Sequence, residues 1–438
     1  MTSDRWQVTG RALQVIVLFT VAFLVACAPS APVVPAPTPS VAVAVTHVVA
    51  TRAATLISPT RTPITTTGTL TLTLWTSEDF APGTSSTGRA LRNQFDAFSA
   101  ANPNIYIDVV LKKPYGKGGL LDFLQMTHAV VPALLPDLIA LDLAEVPLAA
   151  EAGILQPLDG LMQPDLKNDV FPCAIRAAHY QNQWVGYPFT VDAQHLVYNK
   201  TTVKKAPQTW DDVIKQKTTL LLPVGGADAF LLQHLALAPS PDVFNPLVLD
   251  VTATAQVLNF FKRGRDLGLL PETAIGLKTV EEVWLTFAAG QAAMAQVSAS
   301  RFLAEREKFP NVSYASVPTR DGKIATIATG WAFAITSADP ARQAASARFI
   351  QWLVQGERLA PWLRAARRLP ASRNAMALVV DPPEYAAFLR DVLERAAHLP
   401  PASSSAKPAE QWRAAVAAVW KGQMTPEEAA RTTTASSR

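Results

Sequence analysis

Metal centres and nucleophilic sites are built mainly from histidine and cysteine, and the spacing of these residues in this chain supports neither. His47, His128, His179, His195, His234 and His398 form no HExxH and no paired ligand spacing. Cys27 and Cys173, the 2 cysteines of the chain, cannot build a disulfide scaffold or a four-thiolate zinc site. No GxGxxG or GxxxxGK[ST] loop is present. Gly83-Thr-Ser-Ser-Thr-Gly88 has the wrong spacing for a nucleophile elbow. The SxxK at Ser404–Lys407 lies in a Pro/Ser-rich turn without its partner motifs. An enzyme therefore has little positive support. What remains is a set of carboxylates at strand ends. Glu78 and Asp79 follow one apolar-alternating segment, and Asp142 closes the apolar run Leu138-Ile-Ala-Leu141. Open α/β sheets bind ligands at such carboxyl ends.

The elements that position these acids are legible as patterns. Leu70-Thr-Leu-Thr-Leu-Trp75 alternates with period two, as a strand with one apolar face does. Gly83–Gly88 reads as a loop. Leu91, Phe95 and Phe98 follow at helical spacing until Asn102-Pro103. Further strands are expected at 105–111, 137–141, 194–198, 293–297, 311–317 and 331–335. Helices fit 251–267 and 340–354, and the last hundred residues read as mostly helical. Thr209-Trp-Asp-Asp212, Thr279-Val-Glu-Glu282 and Thr425-Pro-Glu-Glu428 have capping-box spacing. Strands alternating with helices predict an α/β layer with a mainly parallel sheet. Trp210 and Trp284, inside helix-start motifs, are expected in the core.

Length and charge narrow the function. The 438 residues suit two or three folding units, and 49% hydrophobic residues allow a sizeable core. The sequence pI near 9.0 suggests a basic protein. Yet Asp4, Arg5, Arg11, Arg52 and Arg61 are the charged residues before position 70, and without them the chain is one charge from neutral. A duplex nucleic-acid binder needs a large positive field, so nucleic acid is not an expected partner. Arg364, Arg367 and Arg368 read as a solvated helix face.

The front of the chain is an address. Arg5 and Arg11 precede an apolar run, Ala12–Ala26, broken by Gln14 and Thr20. As a helix it spans roughly 22 Å, shorter than a bilayer core and right for a signal peptide. The run ends Leu24-Val25-Ala26-Cys27, which resembles a bacterial lipobox. That resemblance makes Cys27 the lipidated N-terminus after removal of 1–26. Residues 27–68 are rich in Pro, Ala, Val and Thr, with no acid and no Phe, Trp or Tyr. They read as a disordered tether. Cys173 is then expected to be a buried lone thiol.

Within the body, several fragments in order resemble the extracellular solute-binding proteins of ABC importers, the family that includes maltose-binding protein. They are Leu72-Thr-Leu-Trp-Thr76, Phe95-Asp-Ala-Phe98 with Asn102-Pro-Asn-Ile105, Pro136-Asp-Leu-Ile139 and Glu151-Ala-Gly-Ile-Leu155. Further on come Trp184-Val-Gly-Tyr-Pro188, Leu196-Val-Tyr-Asn-Lys200, Pro207-Gln-Thr-Trp-Asp211 and Phe287-Ala-Ala-Gly-Gln-Ala-Ala-Met294. Leu369-Pro-Ala-Ser-Arg373 and Met424-Thr-Pro-Glu-Glu-Ala429 complete the series. The resemblance covers residues 69–433. It implies an α/β, periplasmic-binding-protein-like type II fold, with 69–191 plus 332–369 in lobe 1 and 193–331 plus 370–433 in lobe 2. A hinge joins the lobes, the ligand lies between them, and 434–438 form a tail.

It also implies a monomeric, non-enzymatic carrier that needs no cofactor. Its partners are a mono- or oligosaccharide, permease subunits in the membrane and the membrane itself through the lipid. Its place is the extracytoplasmic side of the cell membrane. The same fold with a polyamine, a phosphorylated metabolite or another ion, and a surface-anchored sensor, stay open as alternatives. By position, Glu78 and Asp79 match the family's first polar ligand loop, and Asp142 lies at the next strand end. Leu141 stands where maltose-binding protein stacks a Trp. Asp192 falls at the first crossing between lobes and Trp331 at the second. Arg301 follows the Ala-Ala-Met strand, where an acidic ligand or Glu305 could engage it. Trp412 falls on a C-terminal helix where relatives place a stacking ring, and it also fits an apolar stripe with Val416 and Val419. Trp75, Tyr187, Phe189 and Arg373 are further residues at strand ends or crossings.

Overall fold

Leucine faces inward along the first strand and threonine outward. Leu72 and Leu74 are fully buried within β1 (Leu70–Thr76), whereas Thr71 and Thr73 are not; Thr76, at the strand's end, is buried. Ser85 accepts from the Gly88 amide at 3.0 Å and starts the helix Ser86–Ala101. Leu91, Phe95 and Phe98 are its buried stripe, and Asn102 ends it by bonding the Phe98 carbonyl. The computed structural model describes residues 69–237, 249–398 and 402–435. Cys27 and its tether lie outside them.

The strands in chain order are β1, β2 (Ile105–Leu111), β3 (Leu138–Asp142), β4 (His179–Tyr180), β5 (Gln183–Trp184) and β6 (Tyr187–Asn199). Then follow β7 (Leu220–Leu221), β8 (Met294–Ser298), β9 (Val312–Ala315), β10 (Ile327–Ile335), β11 (Leu369–Pro370) and β12 (Ala397–His398). The large sheet runs β2-β1-β3-β10-β6-β8-β7, with β9 and β11 on β6 and β12 on β10. β1 is parallel to β2 and β3, and β7 to β8. β10 is antiparallel to both β3 and β6, and β6 is antiparallel to β8.

The sheet is therefore mixed, not mainly parallel. The reason lies in two long strands: β6 has 13 residues and β10 has 9, and both run through the middle against their neighbours. The sequence pattern shows only part of each, 194–198 and 331–335. Pro188 sits inside β6 and Gly330 inside β10, residue types that usually interrupt a strand, yet the backbone continues through both. Gly330 has no alternative there, since a Cβ would sit 2.2 Å from the Thr190 carbonyl oxygen.

Two apolar cores flank this sheet. The larger gathers β1, β3, β6 and β10 with the helices Ser86–Ala101, Pro340–Leu353 and Pro383–Glu394. The smaller surrounds the helices Asp228–Leu237, Val251–Asp266 and Ala402–Trp420. Trp210 stacks on Phe260 at 4.6 Å in the smaller core, and Trp284 is fully buried in the larger. Capping boxes close at Thr209 and Thr279, and Thr425 and Glu428 exchange the same pair of bonds. Cys173 is a buried thiol without a disulfide, pushed up to about 11 by burial.

Candidate functional site

β1, β2 and β3 are parallel, so their carboxyl ends lie together and their following turns share one edge. The first turn is Glu78–Phe80, exposed at both acids and buried at Phe80. The second is the loop after β2. Gly116 and Gly118 adopt positive φ of 73° and 77°, and a Cβ on Gly119 would meet the Tyr115 backbone at 2.6 Å. This loop closes only with glycine there, and it folds Tyr115 back toward the strand ends. The third turn is Asp142–Glu145, where Asp142 accepts from the Ala144 amide at 2.8 Å.

β10 brings the remaining piece, because Trp331 is the cross-strand partner of Asp142. A bulge between Trp331 and Ala332 resets its pairing with β6. Phe80 and Tyr115 approach the Trp331 ring at 4.6 and 5.6 Å. The Tyr115 hydroxyl donates to Asp142 at 2.9 Å. Asp79 pairs with Arg368 at 2.9 Å, and that guanidinium lies 4.8 Å over the Phe80 ring. Three of the residues singled out in the sequence, Asp79, Asp142 and Trp331, thus meet around one aromatic cluster. Glu78 sits in the same turn.

Electrostatics separate this cluster from an ordinary surface. Burial raises the Asp142 carboxyl, with the Ala144 amide and the Tyr115 hydroxyl pulling the other way. Glu145 is pushed up to about 7, first by burial and then by the Asp142 charge. One of its carboxylate oxygens is buried without a hydrogen-bond partner. Burial, then Asp142, also raises the Tyr115 phenol.

Across β10, Thr329 pairs with Asp192 on β6. Asp192 accepts from the Ser298 hydroxyl at 2.6 Å, the Ser300 amide at 3.0 Å, the Ala193 amide at 2.8 Å and the Ser300 hydroxyl. Two residues on, Gln194 donates to Asp228 at 2.8 Å and accepts from Gln296 at 2.6 Å. Asp228 opens the helix that follows β7, and burial raises its carboxyl. The turns after β7 and β8 therefore carry a second polar group, reached along β6.

The structure does not bring Arg301 or Trp412 to either group. Arg301 pairs with Glu281 at 3.0 Å and Glu305 at 3.2 Å. Trp412 is buried in the smaller core, 5.4 Å from Phe230. Arg373 holds the Asn168 and Val170 carbonyls and pairs with Glu394. Phe189 stacks on Phe333 at 4.2 Å, beneath Phe80. Tyr187 is buried, its hydroxyl on the Leu166 carbonyl, and Lys112 lies over Trp75 at 4.9 Å. The sequence reading missed Phe80, Tyr115, Glu145 and Asp228, and it took Arg368, which pairs with Asp79, for part of a solvated helix face. A Pro-Tyr-Gly-Lys-Gly-Gly run at 114–119 was the available signal for Tyr115. A cavity of about 320 Å³ lined by Val251, Gln256, Glu427 and Arg431 lies away from these residues. Among the described residues no group of His, Cys, Asp and Glu is arranged for a metal ion, and no helix is long and apolar enough to cross a membrane.

The sequence pattern described as bacterial extracellular solute-binding protein matches residues 93–388. The chain belongs to that family. This solute-binding protein is 34% identical over 64 residues to the maltotriose-binding protein of Pyrococcus abyssi, which is 15% of this chain and 14% of that one. The match thus spans a small part of that relative's length. Among solved structures, the cyclic alpha-maltosyl-1,6-maltose binding protein of Arthrobacter globiformis superposes with a TM-score of 0.69 at 18% identity, covering 84% of this chain and 98% of that chain. The sugar-binding protein MalE of Xanthomonas citri gives 0.67 at 19%, covering 84% and 96%. The GacH receptor of Streptomyces glaucescens, solved unliganded and with acarbose, gives 0.63 at 19%, covering 84% and 97%. The solute-binding protein therefore has the periplasmic-binding-protein-like α/β fold of the maltose-binding type. Its family places it outside the cytoplasm, among proteins that bind substrates.

Proposed function

We propose that this protein is the carbohydrate-binding component of an ABC importer, anchored in the membrane through lipidated Cys27. The observation that carries this reading is the cluster at the carboxyl ends of β1, β2 and β3. Rings from Phe80, Tyr115 and Trp331 meet carboxylates from Asp79 and Asp142 there. A sugar has apolar C–H faces that stack on such rings and a rim of hydroxyls that bond such carboxylates. The binding of maltosaccharides or acarbose by the Arthrobacter, Pyrococcus and Streptomyces proteins supports the same class.

In this reading β6 and β10 are crossing strands between lobe 1 (69–191 plus 332–369) and lobe 2 (193–331 plus 370–433). Asp142 holds the ligand from the first side, with Trp331 at the crossing between the lobes. Asp228, with Gln194 and Gln296, meets it from the second when the lobes close. Closure is favoured by contacts that only the closed state makes. Membrane permease subunits then accept the closed form, and the ligand leaves chemically unchanged.

Thermal melting of the full chain against a saccharide panel tests the reading. A ligand that binds only the folded state at 100 times its Kd adds about 2.7 kcal/mol and raises Tm. Stabilisation by a non-saccharide solute, with none by any mono- or oligosaccharide, would overturn it. Cys27→Ser is expected to release the protein from the membrane fraction. Retention there would remove the lipid anchor from the proposal.

A further inference from the structure

Asp142, Glu145 and Asp228 are partly or largely buried carboxylates at the proposed site, and burial raises each of them with no cation among the causes that lower it. The nearby cations are engaged elsewhere. Arg368 pairs with Asp79 and covers Phe80. The Lys112 ammonium lies over the rings of Trp75 and Phe123, at 4.9 and 4.2 Å. A buried charge is normally paired, because taking an unpaired one out of water costs several kcal/mol. Here the pairing is missing in the protein itself.

Hydrogen bonding shows the same deficit. A Glu145 carboxylate oxygen is buried with no partner. Gln296 is fully buried, gives its amide N–H to Gln194, and leaves its own carbonyl oxygen unpartnered in the chain that ends on Asp228. Both are acceptors in need of a donor. On the first side Asp142 accepts from Tyr115, whose exposed ring lies 5.6 Å from the buried Trp331 ring, and aromatic faces attract a cation. Neutral hydroxyls would fill the acceptors but leave the charge uncompensated, whereas an ammonium group does both.

We propose that the site selects a solute bearing a protonated amine, held between the Asp142–Glu145 carboxylates and the Tyr115–Trp331 rings. This rests on the carbohydrate reading, and within it the solute is an amine-bearing saccharide. The amine needs to reach Glu145 and the ring faces. The rest of the solute extends along β10 toward Asp228.

Titration calorimetry on the full chain at pH 8 separates the two levels. The probes are kanamycin and glucosamine, neutral maltotriose and N-acetylglucosamine, and spermidine as a non-sugar amine. The amine-bearing saccharides are expected to bind at least tenfold more tightly than the neutral ones. Glu145→Gln and, separately, Asp142→Asn are expected to shrink that ratio about tenfold. Equal binding of neutral and amine-bearing sugars, or a ratio unchanged in both variants, overturns the amine proposal while leaving the carbohydrate reading intact. Spermidine binding that Glu145→Gln weakens, with no saccharide bound, upholds the amine proposal and overturns the carbohydrate reading. Silence from all probes overturns both.

Discussion

Asp142 and Asp192 occupy neighbouring strands on opposite sides of β10, and the fold treats them in opposite ways. Asp192 is filled: two hydroxyls and two amides from Ala193, Ser298 and Ser300 point at its oxygens. It ties β6 to the turn after β8. Asp142 accepts from one amide and one phenol, next to a Glu145 oxygen that accepts nothing. One carboxylate is therefore saturated by the protein, and the other keeps room for a further donor. The residue type is the same, and both strands border β10. What differs is the number of donors the surrounding turns supply.

The two tryptophans of the sequence argument offer the strongest test of that division. Trp412 is core, so Trp412→Ala should cost about 3–5 kcal/mol in denaturant unfolding, with ligand affinity unchanged in calorimetry. Loss of affinity at constant stability would break the contrast with Trp331. Next in size is Asp192→Ala, which strips an acceptor from the serines and should cost about 1–3 kcal/mol. If Asp142→Ala costs as much, the distinction between the two aspartates fails.

Smaller effects come through pH, with opposite signs at two buried groups. His195 is lowered from 6.5 to about 4 by burial, its Nε2 on the Tyr385 hydroxyl at 2.8 Å. The unfolded chain binds the extra proton, so this contribution is present above pH 6.5 and is lost as pH falls toward 4. Glu145 is raised from 4.5 to about 7, so the folded state binds the extra proton. Its contribution is present below pH 4.5 and is lost as pH rises through 7. Glu145→Gln should therefore raise Tm at pH 8 by roughly 2–4 °C, about 1 kcal/mol for a domain of this size, and by much less at pH 5. An equal gain at both pH values would mean that the buried charge is not the cause.

Much of this could be read from the chain itself, and the unread part has a common character. The Leu/Thr alternation of β1, the caps at Thr209, Thr279 and Thr425, and the core positions of Trp210 and Trp284 are local signals, and each element is where its pattern placed it. Asp79 and Asp142 were legible as residues at or after strand ends, and Trp331 entered through the family resemblance. The saturation of Asp192 was not, because its donors lie 106 and 108 residues downstream. Nor was the length of β6 and β10, since a proline in one and a glycine in the other read as breaks while ladder bonds on both sides hold the backbone extended. Arg301 illustrates the converse: Glu305 at helical spacing was visible as one partner, but Glu281 comes from another helix.

The loop that carries Tyr115 has a consequence for how such a protein diversifies. Its base is fixed by a bridge between Lys113 and Gly119, and its tip is exposed. With Gly116, Gly118 and Gly119 kept to close the turn, Pro114, Tyr115 and Lys117 can be rewritten without disturbing any strand of the large sheet, whereas Trp331 cannot change without affecting the strand that bears it. The loop is a replaceable cassette on a fixed frame. Retargeting this protein to a new solute, in the laboratory or by descent, is expected to begin at Tyr115.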